Sequence, residues 1–168
     1  MRINRKIAVS LVATVLAGTA GVGAAQAAPA AGGAGAPSAC RPANHLAKIT
    51  QSEASSGHSH YRVTLTAPSG YAACELAGSP TDVRFSNGGK DTGITAGSYG
   101  SQQTVVTFGP GHPVHFDIQV PNNGQGKAAD EASFTLAAPG GEIPGTSFAE
   151  GTFQVAAGTV IGPVQSGA

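Results

Sequence analysis

From His60 the sequence alternates, with Tyr61, Val63 and Leu65 on one side of the chain and Arg62, Thr64 and Thr66 on the other. A period of two is the mark of a strand with one buried face, because successive side chains leave a pleated backbone in opposite directions. The pattern returns at Val114, Phe116, Ile118 and Val120, with His115, Asp117 and Gln119 facing away. It returns again at Val83 and Phe85, at Phe134 and Leu136, and at Phe153 and Val155. Thr104 to Phe108 is a β-branched run, and His45 to Thr50 a weaker one. Pro68-Ser69-Gly70, Asn87-Gly88-Gly89, Gly109-Pro110-Gly111, Pro121-Asn122-Asn123-Gly124 and Pro139-Gly140-Gly141 separate them. Each supplies a positive or a fixed φ where the chain must reverse. Asn87-Gly88 is the strongest hairpin signal of the set. Outside the N-terminal region no window sustains the i, i+3, i+4, i+7 spacing of an amphipathic helix. The expected fold is all-β: an antiparallel immunoglobulin-like β-sandwich of about seven to eight strands with one disulfide.

The core of such a domain is thin. The chain has 6 Phe and 3 Tyr but no Trp, so the Trp that antibody-type domains pack on their inter-sheet disulfide is missing. Cys40 and Cys74 are the only cysteines, and a pair has one intrachain connectivity. Closing that loop of about 35 residues stabilises a fold by roughly 3–4 kcal/mol in the chain-entropy model. No C-x-x-C spacing points instead to redox or metal chemistry.

The N-terminus reads as an export signal over residues 1–27. Arg2, Arg5 and Lys6 form a cationic head, Ile7 to Val22 is uncharged, and Ala25-Gln26-Ala27 is a small-x-small cleavage site. The stretch is too diluted by Gly and Ala to span a bilayer. The absence of an Arg-Arg pair favours the general secretory route, and Pro37-Ser38-Ala39 before Cys40 is no lipobox. The expected product is secreted and extracellular, without a membrane span. The full chain balances 9 basic against 9 acidic residues, and cleavage leaves a net charge of about −3, which gives no reason to seek nucleic acid. Residues 28–39, rich in Ala, Gly and Pro, read as a flexible linker, and residues 40–168 as a single β-sandwich domain.

Three segments carry a family resemblance: Tyr61-Arg62-Val63-Thr64-Leu65-Thr66, Cys74-Glu75-Leu76-Ala77-Gly78-Ser79-Pro80, and Val105 through Val114 with its Gly109-Pro110-Gly111 turn. Together with the upstream Cys40, the C-x-L-x-G-x-P segment resembles a family of secreted actinobacterial domains of unknown function. The resemblance covers about Cys40 to Val155. It implies an extracytoplasmic β-sandwich and carries no assigned activity or catalytic residue.

Candidate chemistry is sparse. His58 and His60 share a strand face, so both could reach one copper or zinc ion, with His112 and His115 as a second pair. Solvated histidines at a strand entrance are the plainer reading of the same residues. No G-x-S-x-G elbow accompanies Ser98 or Ser101. Asp130-Glu131 point opposite ways in a strand, and Glu142 and Glu150 read as loop solubility rather than a glycosidase pair. No helix follows a Gly cluster, so no phosphate loop or dinucleotide site is expected. The loop from Asp91 to Gln103, with Ser98, Tyr99 and Ser101 among glycines, is the candidate contact surface, set against a flexible hairpin tip. The expectation is therefore a non-catalytic binding or structural module at the cell exterior, with no cofactor. Its partner would be an envelope component, an extracellular protein or a glycan. The alternative is an exported copper- or zinc-binding protein using His58 and His60, with a hydrolase third.

Overall fold

In the computed structural model the described residues are 35–55 and 57–168; the export signal and the first part of the expected linker lie outside them. The chain forms a single 3₁₀ turn at Pro42–Asn44 and fourteen strands among the described residues. The long ones are β1 (Leu46–Ser55), β2 (His58–Thr66), β4 (Thr81–Asn87), β8 (Val114–Pro121), β9 (Lys127–Thr135) and β12 (Ser147–Val155). Between them lie β3 (Cys74–Ala77), β5 (Lys90–Asp91), β6 (Gly97–Ser98), β7 (Val105–Phe108), β10 (Ala137–Ala138) and β11 (Gly141–Glu142), and β13 (Val160–Ile161) and β14 (Gln165–Ser166) follow.

The antiparallel immunoglobulin-like sandwich of seven to eight strands is corrected by the topology. One mixed sheet runs β5-β4-β9-β12-β1-β2-β8-β13-β6, with β14 also on β8, and β3-β7 and β10-β11 are separate two-stranded ribbons. Two pairings are parallel, β1 with β12 and β13 with β6. The first converts two would-be layers into one continuous surface. Three strands lie between β9 and β8, which would separate them by about 19 Å in a flat sheet. Yet Phe116 of β8 and Phe134 of β9 meet edge-to-face with ring centroids 5.1 Å apart. The sheet is therefore curled, and its two halves share the interior.

That interior is the apolar face read from the alternation. Val63, Leu65, Phe116, Ile118, Phe134 and Val155 are all fully buried. Phe153 packs against Phe85 and Tyr61, and the Tyr61 hydroxyl accepts the Gln154 N–H at 3.2 Å, which satisfies a polar tip inside the core. The parallel junction depends on a glycine. In register with Lys48↔Glu150, the next residue on β12, Gly151, lies against Ile49, and a Cβ there would collide with the Ile49 carbonyl and sit 2.7 Å from its Cβ. The pairing of β12 with β9 shifts register between Glu150 and Phe153, where a bulge absorbs the crossing.

Local expectations shift in detail. The β4–β5 turn is Gly88-Gly89, one residue later than Asn87-Gly88, since Asn87 pairs with Lys90 and both glycines have positive φ. His115, expected to face solvent, is buried beside β14, with its Nδ1 3.1 Å from the Gly167 carbonyl. Pro37 to Ala39, expected to be linker, are built into the domain: Ala39 is fully buried and donates its N–H to the Ala72 carbonyl at 2.8 Å.

Candidate functional site

Three segments of little regular structure converge at one end of the sheet. The first runs from Ser38 through the 3₁₀ turn, whose Pro42 starts a helical turn at no cost in hydrogen bonds. The second is the start of β3. The third is the β10–β11 hairpin with the Ile143-Pro144-Gly145-Thr146 stretch that leads into β12. The Cys40–Cys74 disulfide joins the first two, with Cα atoms 6.1 Å apart. Ile143 donates its N–H to Leu136 at 2.8 Å and so extends the hairpin. Gly145 is where the chain passes Pro42: its φ is +109°, and a Cβ would sit 3.1 Å from the proline ring. Between the three segments lies a groove of about 870 Å³. Pro42, Ala43, Ala138, Pro139, Ile143, Pro144 and the disulfide make its walls, and Arg41 and Glu75, both exposed, bring one charge of each sign.

Beneath it lies a polar pair that sequence reasoning missed. His45 Nε2 is 3.0 Å from Ser147 Oγ, and its Nδ1 is 2.9 Å from the Ala39 carbonyl. With Nδ1 as the donor to that carbonyl, Nε2 accepts the serine hydroxyl, the order of groups in a nucleophilic dyad. Ser147 is only 2% exposed, however, and faces inward from β12. Both side chains are buried, and the arrangement is a satisfied buried network. Burial pushes the His45 pKa below its ordinary value, against the opposing backbone hydrogen bonds with Ala39 and Arg41. The ring stays neutral and stands edge-on to Phe108 at 5.6 Å. The sequence signal was a histidine at the head of a weak strand run, with nothing to show that Ser147 would lie beside it.

The sequence from residue 40 to residue 165 matches the model of one protein family. The chain belongs to DUF4232, a domain of unknown function. The matched span begins at the first cysteine and contains the disulfide and all the strands except the last residue of β14. No curated protein and no solved structure matches the chain.

In this DUF4232 domain none of the histidine, serine and tyrosine candidates singled out from the sequence lines the groove. His58 and His60 are neighbours, with ring centroids 6.4 Å apart, and His60 Nε2 is 2.7 Å from Ser55 Oγ. His112 and His115 do not join them. In the β2–β8 ladder His60 pairs with Gln119 and Thr64 with His115, so even the nearest members of the two histidine pairs, His60 and His115, stand four residues apart along the strands, about 13 Å. Among the described residues no group of three or more His, Cys, Asp or Glu could hold a metal ion. The four-histidine idea is thereby corrected: strand direction, invisible in the spacing, sends the pairs apart.

The Asp91 to Gln103 loop is not a free hairpin tip. Gly97-Ser98 form β6 and pair with β13 at the sheet edge. The Gln102 side chain accepts the Ser79 N–H at 2.6 Å and donates to the carbonyls of Tyr99 and Gly100. The Tyr99 ring lies on Gly162, where a Cβ would be 2.7 Å from the hydroxyl. Partial burial raises the Tyr99 pKa, the Asp117 charge adds to the rise, and a hydrogen bond with Gln119 opposes it. Ser98 and Ser101 are exposed. Beside this loop Arg62 pairs with Asp117 at 3.5 Å in a polar cleft completed by Gln51, Ser52, Glu53 and His60.

Proposed function

We propose that this protein is a non-catalytic binding module that works outside the cytoplasm and seats a ligand in the groove at the disulfide end. The observation that carries the reading is the groove itself. It holds about 870 Å³, its walls are mainly aliphatic, and no acid–base or nucleophilic pair opens into it. Arg41 and Glu75 offset one another, so no net field selects an anion or a cation. The occupant is a neutral aliphatic ligand of small-molecule or short-peptide size. With no aromatic ring in the walls, the groove offers no stacking platform of the kind a sugar face uses.

The location outside the cytoplasm is supported by the disulfide and by the tripartite N-terminal reading. Among the described residues no helix is long and apolar enough to cross a membrane. N-terminal sequencing of the product recovered from culture medium tests the export half, with Ala28 as the expected first residue. Recovery only from the cytoplasm, uncut, would end it. For the binding half, amide shifts are followed while capped Ala, Pro and Leu tripeptides and alkyl alcohols are titrated in. Perturbation is expected at Ala43, Cys74, Ala138 and Ile143 and not at Gln51 or Glu53. Shifts confined to the opposite pattern, or none at all, would refute the groove.

A further inference from the structure

Two of the three large hydrophobic residues exposed among those described are side by side. Leu46 is 70% and Phe148 57% exposed. They lie two residues before Lys48 and Glu150, the register partners of the parallel β1–β12 pair. Side chains two apart share a face, so the outer surface carries Leu46 beside Phe148 and, one pleat on, Lys48 beside Glu150. The flanking strands supply a polar rim: Ser133 opposite Phe148, Thr66 opposite Leu46 and Thr64 opposite Lys48.

The charges on this patch are unbalanced from side to side. On β9, Glu131 is the register partner of Glu150, and like charges directly opposite one another are destabilising. Among the described residues neither Lys48 nor Glu150 has an ion-pair partner within 4.0 Å. The β9–β12 half is thus acidic, and the β1 side carries a lysine free to pair elsewhere.

We infer that this face is a self-association surface whose partner is a second copy of the same chain. A two-fold axis running parallel to the strands, between β1 and β12, superposes the acidic half of one copy on the basic half of the other. It lays Phe148 on Leu46 of the second copy and Lys48 on Glu150 of the second copy, each contact occurring twice, as an isologous interface requires. An apolar centre with a rim of Ser, Thr and charges is the usual anatomy of such contacts. Because the face is the outer one of a curled sheet, contact is limited to the central strands. The association is accordingly weak, with a dissociation constant on the order of 10–100 μM, at the small end of interface sizes.

Sedimentation velocity on the released protein, from about 1 μM to about 1 mM, tests the inference, bracketing that weak range. A concentration-dependent monomer–dimer shift is expected. Phe148→Ser and Leu46→Ser, both at exposed positions, should each abolish it while leaving the circular-dichroism spectrum unchanged. Lys48→Glu and Glu150→Lys should each weaken it about tenfold, and the double exchange should restore it, because only reciprocal pairing across the axis survives a swap of both charges. A monomer throughout overturns the inference and leaves the patch to a partner of another kind. A dimer indifferent to Phe148→Ser, or a double exchange no better than the single ones, overturns it equally by placing the contact elsewhere. Neither result bears on the groove, whose lining includes none of Leu46, Lys48, Phe148 and Glu150.

Discussion

The long-strand half of this domain and its disulfide end are held together by different means. In β2, β8 and β12 the alternation puts nearly every second side chain into a shared interior, to which β1 adds Ile49 and β9 adds Ala129, Ala132 and Phe134, and order follows from burial of area spread over many residues. At the other end the strands are two to four residues long and cannot bury enough to order themselves. There a covalent bridge, a histidine hydrogen-bonded on both ring nitrogens and a glycine fitted to a proline ring replace area. The lesson is that an open groove sits where stability comes from discrete links, since a fully packed interior would leave no cavity.

The sharpest way to test that contrast is to damage each half separately. Phe134→Ala empties a fully buried site that touches both halves of the curl, and a loss of about 3–5 kcal/mol is expected by chemical denaturation. Protection from hydrogen exchange should fall across the whole domain. Replacing Cys40 and Cys74 by Ser should cost about 2–5 kcal/mol, but with protection lost first in the segment from Ser38 to Asn44 and in β3. A uniform loss in this variant would erase the distinction between the two regions. Gly151→Ala should cost about 1–3 kcal/mol, because the β1 and β12 backbones must part to admit a methyl group.

Acid sharpens the contrast further. The folded pKa of His45 lies below its ordinary 6.5, so the folded protein binds fewer protons there than the unfolded chain. The contribution is complete above pH 6.5 and is lost progressively as pH falls through that value toward the folded pKa. His45→Gln should remove that slope while costing on the order of 1–2 kcal/mol at pH 7.5. A wild-type curve flat from pH 7 to pH 5 would contradict the neutral buried ring. The smallest effect is expected at the groove wall: Ile143→Asp, at a half-buried position, should move stability by about 1 kcal/mol or less and abolish the shift changes caused by aliphatic probes.

Much of this was legible in the residues. The runs around Tyr61, Phe116, Phe134 and Phe153 lie in or beside strands with the expected side buried, and the two cysteines are bridged. The failures have physical causes. The Gly88-Gly89 turn differs from Asn87-Gly88 by one step because either pair could adopt positive φ, and the β4–β9 register selects between them. The groove is not legible in the residues because Pro139 and Gly140 read only as residues that reverse the chain, when their positions also form a wall together with Pro144.

The alternation, the turn residues and the cysteine pair determined by themselves that this chain makes short strands, which side of each is buried, and where one covalent link closes. Which strands become neighbours, and in which direction, was decided only in three dimensions. A strand's period of two reports one buried face and nothing about the strand beside it. Parallel β1–β12 pairing, the curl that brings β8 against β9, and the meeting of His45 with Ser147 across 102 residues are all properties of neighbours rather than of segments.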